Sequence, residues 1–209
     1  MEHNEQSDEL LACTPTTVDT ACFNNQAILP YNLTVEHIHL AMDSFTAFLG
    51  YINKELYTRR LKRLESMFMQ ANFSSLVGEY MKSTIPTFCT NIVTNRHHNG
   101  HPDLIPIDYY PNNDVEHGSQ GIEIKGSRYT GNWQGHNAED CWLMVFVYDS
   151  NRPENAEKGI YLPKALKFLM VVGAHVTEED WAFSGRNPGS RRTITASIRK
   201  SGRDKMLAN

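Results

Sequence analysis

The chain has little cysteine, no long apolar run and no surplus of positive charge. Its 209 residues include four cysteines, at 13, 22, 89 and 141, and no two have the Cys-x-x-Cys spacing of a zinc knuckle. Cys89 and Cys141 lie in apolar surroundings, the pattern of buried free thiols in a reducing, cytoplasmic compartment. No apolar stretch approaches the ~20 residues that a membrane-spanning helix needs. The longest, Cys141–Tyr148 and Phe168–Ala174, have strand length. The opening MEHNEQSDEL is polar and acidic, so it does not read as a secretory leader. Neither an internal repeat nor a low-complexity linker interrupts the chain. A formal net charge of −4 argues against a bulk basic coat, but not against a local basic groove.

What is present suits one globular domain. Hydrophobic residues make up 40% of the chain, enough to exclude a disordered polymer. Residues 1–30 mix Thr, Asn, Gln and Pro without periodicity and read as a loosely packed arm ahead of a domain over 31–209. Residues 34–70 carry a helical stripe from Phe45, Phe48 and Leu49 through Ile52 and Leu56 to Leu64, Met67 and Phe68. Thr34 is the expected N-cap, with His37 where a full capping box would want a Glu or Gln. Gly50 weakens the middle of this helix, and Arg59, Arg60, Lys62 and Arg63 give it a basic face.

A second helix is expected over 73–88, ended or kinked by Pro86. From residue 89 the period changes. Short apolar segments at 104–110, 121–125, 141–148, 166–176 and 192–198 alternate with turn-rich ones. Helices followed mostly by strands imply a mixed α/β or α+β domain, with a mixed central sheet flanked by helices.

The chemistry concentrates between His101 and Lys125. Side chains alternate along a strand, so Ile122 and Ile124 enter the core together and leave Glu123 and Lys125 on the other face. Asp103 brings a second carboxylate to the same point if its segment pairs with that strand. Two carboxylates beside a lysine suit Mg²⁺, which takes a few protein oxygens and keeps several waters. Asp103, Glu123 and the backbone carbonyl of Ile124 are the expected metal ligands. Lys125 is expected to orient water or stabilise a phosphorane-like transition state, and the chemistry is phosphodiester hydrolysis.

Pro102-Asp103 followed by Glu123-Ile124-Lys125 resembles the PD-(D/E)xK nuclease signature. The resemblance spans about residues 73–148. It implies a restriction-endonuclease-like core of order α-β-β-β-α-β, with Asp103, Glu123 and Lys125 catalytic. It also implies Glu79, on the preceding helix, as a supporting acid. The cofactor implied is Mg²⁺, with Mn²⁺ as a substitute. A polar loop over 112–120 separates the two halves of the motif, so Asp108 or Asp114 stands as an alternative first ligand.

The C-terminal part is locally basic. Arg186, Arg191, Arg192, Arg199, Lys200, Arg203 and Lys205 face one acid, Asp204. Arginine forks and hydroxyls suit phosphates and base edges, so Arg186, Ser190, Arg191, Arg192, Thr193 and Thr195 are expected DNA contacts within a C-terminal part over about 184–205. Arg128, Gln134 and His136 are expected to join them from the loop after the Glu-x-Lys strand. Trp133 in that loop reads equally as a core cap, and Asn137 as a helix cap. The cluster His97, His98 and His101 reads as a polar loop, with a zinc-dependent hydrolase as the distant alternative.

The combined expectation is a Mg²⁺-dependent endonuclease of double-stranded DNA, of the type II restriction kind. It would act as a homodimer through helix 34–70, with no membrane partner. A repair nuclease on the same core, and a DNA-binding module without catalysis, are the alternatives.

Overall fold

A computed structural model describes residues 8–135, 138, 140–153, 162–183 and 196–209. After the arm, which holds a helical turn over 8–12 and a 3-10 turn at Thr20–Cys22, come helices α1 (Val35–Thr58), α2 (Leu64–Met67) and α3 (Gln70–Phe88). Strands β1 (Ile92–Thr94), β2 (Leu104–Pro106), β3 (Ile122–Ser127), β4 (Gln134–Gly135), β5 (Cys141–Asp149), β6 (Lys167–Val176), β7 (Trp181–Phe183) and β8 (Ala196–Ile198) follow. Helix α4 (Lys200–Ala208) closes the chain. The architecture is mixed α+β. A five-stranded sheet of order β1-β2-β3-β5-β6 is antiparallel except for the parallel pair β3–β5. The remaining strands form a small antiparallel sheet, β4-β8-β7.

Strand β5 explains why 141–148 reads as an unbroken apolar run: both of its faces are covered. Met144, Phe146 and Tyr148 enter one core with Phe45, Phe73, Val77, Met81 and Ile85 from α1 and α3. Leu143, Val145 and Val147 enter a second core with Trp133, Trp181, Ile198 and Met206, under the small sheet and α4.

The expected helix over 34–70 stops at Thr58. Arg60 turns to φ 57, and α2 is a separate single turn before α3. Gly50 does not break α1. It is there because Pro15 packs on it; a Cβ at position 50 would lie 2.6 Å from Pro15 Cγ and 2.9 Å from the Cys13 carbonyl oxygen. The arm is accordingly packed rather than loose, with Ala12 and Cys13 buried. At the helix start, the Thr34 side chain accepts from the His37 N–H, and His37 Nδ1 accepts from the Thr34 N–H at 3.2 Å. Histidine therefore completes the box expected to lack its second half.

Helix α3 keeps Pro86 inside its last turn. Proline has no N–H, so the Lys82 carbonyl loses its helical donor. Thr94 of β1 supplies one instead, its Oγ1 donating to that carbonyl at 3.2 Å. The segment expected as a strand over 104–110 pairs only through Pro106, because Asp108 turns to φ 57. The C-terminal segment after Ile198 is helix α4. It is tied down by Lys205 and Ser201, which donate to the buried carboxylate of Asp180 at 2.6 and 2.9 Å.

Candidate active site

Strands β2 and β3 touch through one registered pair, Leu104 with Ile122. Beyond it the Ile124 N–H has a side-chain partner: Asp103 Oδ2 accepts it at 2.9 Å. The carboxylate of Asp103 is thus fixed against the strand that carries Glu123. The loop leading into β2 is held by Asn95, whose amide donates to the Pro102 and Val115 carbonyls at 3.0 and 2.8 Å. The Asn95 side-chain oxygen accepts from the His97 and Val115 N–H groups. A buried Asn with its bonds met on both sides is a rigid staple.

Along β3 the alternation runs as the sequence predicts. Ile122 and Ile124 are buried in the helix-side core, while Glu123 and Lys125 share the opposite face. Lys125 Nζ donates to Glu123 Oε1 at 3.0 Å. The other oxygen, Oε2, lies 3.0 Å from His101 Nδ1. From α3, Lys82 Nζ lies 3.4 Å from Asp103 Oδ1 and 2.9 Å from Glu79 Oε2. Glu79 itself is largely exposed, on the outer side of that ammonium.

The two central acids respond to this setting in opposite directions. Burial, then the charge of Glu123, pushes the Asp103 carboxyl up to about 7, against the pull of the Ile124 N–H, Lys82 and Lys125. Burial also acts to raise Glu123, but the His101 hydrogen bond and the Lys125 charge outweigh it and hold that carboxyl well below the usual range. Burial likewise works against the charged form of Lys82, yet Glu79 and Asp103 reverse the balance and raise it.

Asp103, Glu123, Lys82 and Glu79 line a cleft of about 1080 Å³, together with residues of the 95–101 and 117–119 loops, Ala138 and Asp140. That is at the top of the range that small ligands fill. A second, more apolar cavity of about 370 Å³ lies between the arm, α1, β6 and α4, and it holds no comparable pair of acids. Against protein-family models, curated proteins and solved structures, the chain has no match. The site must therefore be read from its own geometry.

Asp103, rather than Asp108 or Asp114, is the carboxylate beside Glu123; Asp114 is engaged by His97 at 2.8 Å. Among the described residues, no three His, Cys, Asp or Glu side chains form an all-protein metal cage. The histidines at 97 and 101 are instead directed to different acids. Mg²⁺ needs no such cage, since two carboxylates and retained waters satisfy it. The donor set fits a hard cation on that account: two largely buried carboxylates stand together, and one carries a pKa raised partly by the other's charge.

Of the expected DNA contacts, Arg128 needs correction. Its guanidinium is turned inward, donating to the Ser150 and Asn151 carbonyls at 2.9 and 3.1 Å. It lies 5.1 Å from the centre of the Tyr148 ring and 5.7 Å from that of Phe73. Because β3 runs parallel to β5, Arg128 leaves β3 beside the end of β5, within reach of those carbonyls. Gln134 is exposed on β4. Trp133 is a core residue, its Nε1 donating to the Tyr129 carbonyl at 2.8 Å. His136, Asn137, Arg186, Ser190, Arg191, Arg192, Thr193 and Thr195 lie outside the described residues.

Sequence reasoning passed over Lys82 and the role of His101. Lys82 had a signal: it follows Glu79 by three residues on one helix, the spacing of an ion pair. His101 was placed in the polar loop beside Asp103, but its contact with Glu123 depends on a tertiary approach across 22 positions of sequence.

Proposed function

We propose that the chain is a Mg²⁺-dependent endonuclease that hydrolyses phosphodiester bonds of double-stranded DNA, on a restriction-endonuclease-like core. The observation that carries the reading is the convergence of Asp103 and Glu123 in one cleft, with Lys125 hydrogen-bonded to Glu123. The order of elements adds support: α3 precedes β1, β2 and β3, and β3 runs parallel to β5. One departure from the family order is that no helix occurs between β3 and β5 among the described residues.

Asp103 and Glu123 are the residues that would hold the cation, with the Ile124 carbonyl as a further ligand. A bound divalent cation supplies Lewis-acid polarisation of a phosphoryl oxygen and a more acidic water. The chain's own groups do the rest. The Ile124 N–H fixes the Asp103 carboxylate, and His101 fixes that of Glu123, so neither acid reorganises during the reaction. Lys125 keeps an ammonium beside Glu123, where it can orient the attacking water and offset negative charge as it develops on phosphorus.

Type II restriction activity by a twofold homodimer is the specific form proposed, since a symmetric duplex target favours a symmetric enzyme. The basic, hydroxyl-rich residues over 186–195 are the proposed groove contacts.

The test is incubation of the protein with plasmid DNA. Discrete fragments are expected with Mg²⁺, and none with EDTA or in the Asp103→Asn and Lys125→Ala variants. Each substitution should lower the rate by at least about 100-fold, the lower range for loss of a proton-transfer or charge-stabilising group. A smear, or a preference for branched DNA, would favour a repair nuclease. Binding without cleavage would leave a DNA-binding module. Undiminished cleavage by both variants would overturn the site.

A further inference from the structure

The Lys82 ammonium stands between two acids. Glu79 Oε1 and Oε2 lie 3.0 and 2.9 Å away, and Asp103 Oδ1 lies 3.4 Å away on the other side. Two carboxylates from neighbouring elements flanking one point are the oxygen set that a hard divalent ion uses. Here that point is already filled by a side chain of the protein. The lysine is three-quarters buried, with a side-chain exposure of 23%, and the ammonium's retreat into the cleft would leave Asp103 beside Glu123 with less compensating charge.

The stem is anchored as well. The Lys82 carbonyl, left without a helical donor by Pro86, is bound by Thr94, so the backbone that carries the ammonium is fixed to β1. Glu79, on the same helix three residues earlier, is spent on this ammonium.

We propose that Lys82 takes the place of a second divalent cation, so that the cleft accepts one such ion, at Asp103 and Glu123, and Glu79 serves as the clamp on the lysine. This rests on the reading of the cleft as a hydrolytic metal site. Lys82 is a positioning residue in this account. It neutralises the outer oxygen of Asp103 and repels any further cation from the Glu79 side.

The number of bound ions tests this directly. Mn²⁺ is titrated into the full chain without DNA, and the free aqua ion is counted by electron paramagnetic resonance. One Mn²⁺ per chain is expected for the unaltered protein and two for Lys82→Met, because the ammonium no longer blocks the Glu79–Asp103 pair. The double variant Lys82→Met/Glu79→Gln should return to one, which locates the added ion. Lys82→Gln, with a polar tip, replaces the methionine variant if that one does not fold. Two ions in the unaltered protein would overturn the proposal alone. One ion in both the unaltered protein and Lys82→Met, at equal affinity, would do the same. No ion in the unaltered protein would overturn the metal-site reading itself, and this proposal with it.

Discussion

Among the described residues, the buried charge around Arg63 and that around Asp103 are built on opposite principles. In the first, Arg63 is 2% exposed and Glu65 is fully buried. The Arg63 guanidinium donates to Glu65 at 2.6 Å, Glu9 at 2.8 Å, Asn151 at 2.6 Å and the Lys164 carbonyl at 2.8 Å. Asn53 donates to the second oxygen of Glu65 at 2.9 Å. Every contact is short, and the cluster joins the arm, α1, α2 and the segments flanking the β5–β6 connection. In the second, Asp103, Glu123 and Lys82 open onto a cleft of about 1080 Å³, and Lys125 bonds to Glu123 from behind its lining. There one acid is driven up to about 7 while its neighbour is held low. The first cluster uses charge to fix one arrangement. The second leaves charge imperfectly compensated where a ligand can reach it, which is the condition of a reactive site.

Breaking the first cluster should have the largest effect on stability. Arg63→Met leaves Glu65 buried and short of its cation, and should cost about 3–5 kcal/mol. Chemical denaturation would measure it as a lower midpoint with an unchanged slope. Cleavage per folded molecule should stay within a few-fold of the unaltered protein, because Arg63 bonds to Glu9, Glu65, Asn151 and the Lys164 carbonyl, which lie outside the cleft lining. A loss of cleavage without a loss of stability would erase the distinction between the clusters.

The second cluster should show itself in pH dependence of the cation-free protein. Asp103 has a raised pKa in the folded state, so its contribution to stability is complete below its unfolded value of 3.8 and is lost as pH rises through about 7. Glu123 has a lowered pKa, so its contribution is present above 4.5 and is lost as pH falls below that. Melting temperatures recorded in EDTA should therefore decline between pH 4 and 8 through Asp103. Asp103→Asn should remove that part of the decline, gaining on the unaltered protein as pH rises. Parallel curves for the two proteins would show that Asp103 is not held out of balance.

The smallest effect expected is at the anchor of α3. Thr94→Val removes the hydroxyl that caps the Lys82 carbonyl and should cost about 1 kcal/mol, the usual worth of such a bond. Thermal unfolding would register it as a modest fall in Tm, with Mn²⁺ stoichiometry unchanged.

Strand β3 was legible because a period of two leaves little choice: with Ile122 and Ile124 inside, Glu123 and Lys125 must share a face. The runs expected at 141–148 and 166–176, which became β5 and β6, were legible through their length and apolarity. The end of α1 was not, because its apolar stripe continues into α2, and only the turn at Arg60 separates them. Helix α4 was hidden by composition: KSGRDKMLA buries only Gly202 and Met206. Arg128 shows the limit for charged residues. From sequence it is a cation in a loop after an active-site strand, whereas its place is set by carbonyls more than twenty residues later, at the end of β5.

Gly126 sets how the two halves of the cleft meet. A Cβ there would lie 2.3 Å from the Ser74 carbonyl oxygen and 2.9 Å from Val77 Cβ, so α3 rests directly on the main chain of β3. Glu79 and Lys82 ride on the helix; Glu123 and Lys125 ride on the strand. Adding even one methyl at this contact would act as a shim, lifting one pair of charges relative to the other while every charged residue remained in place.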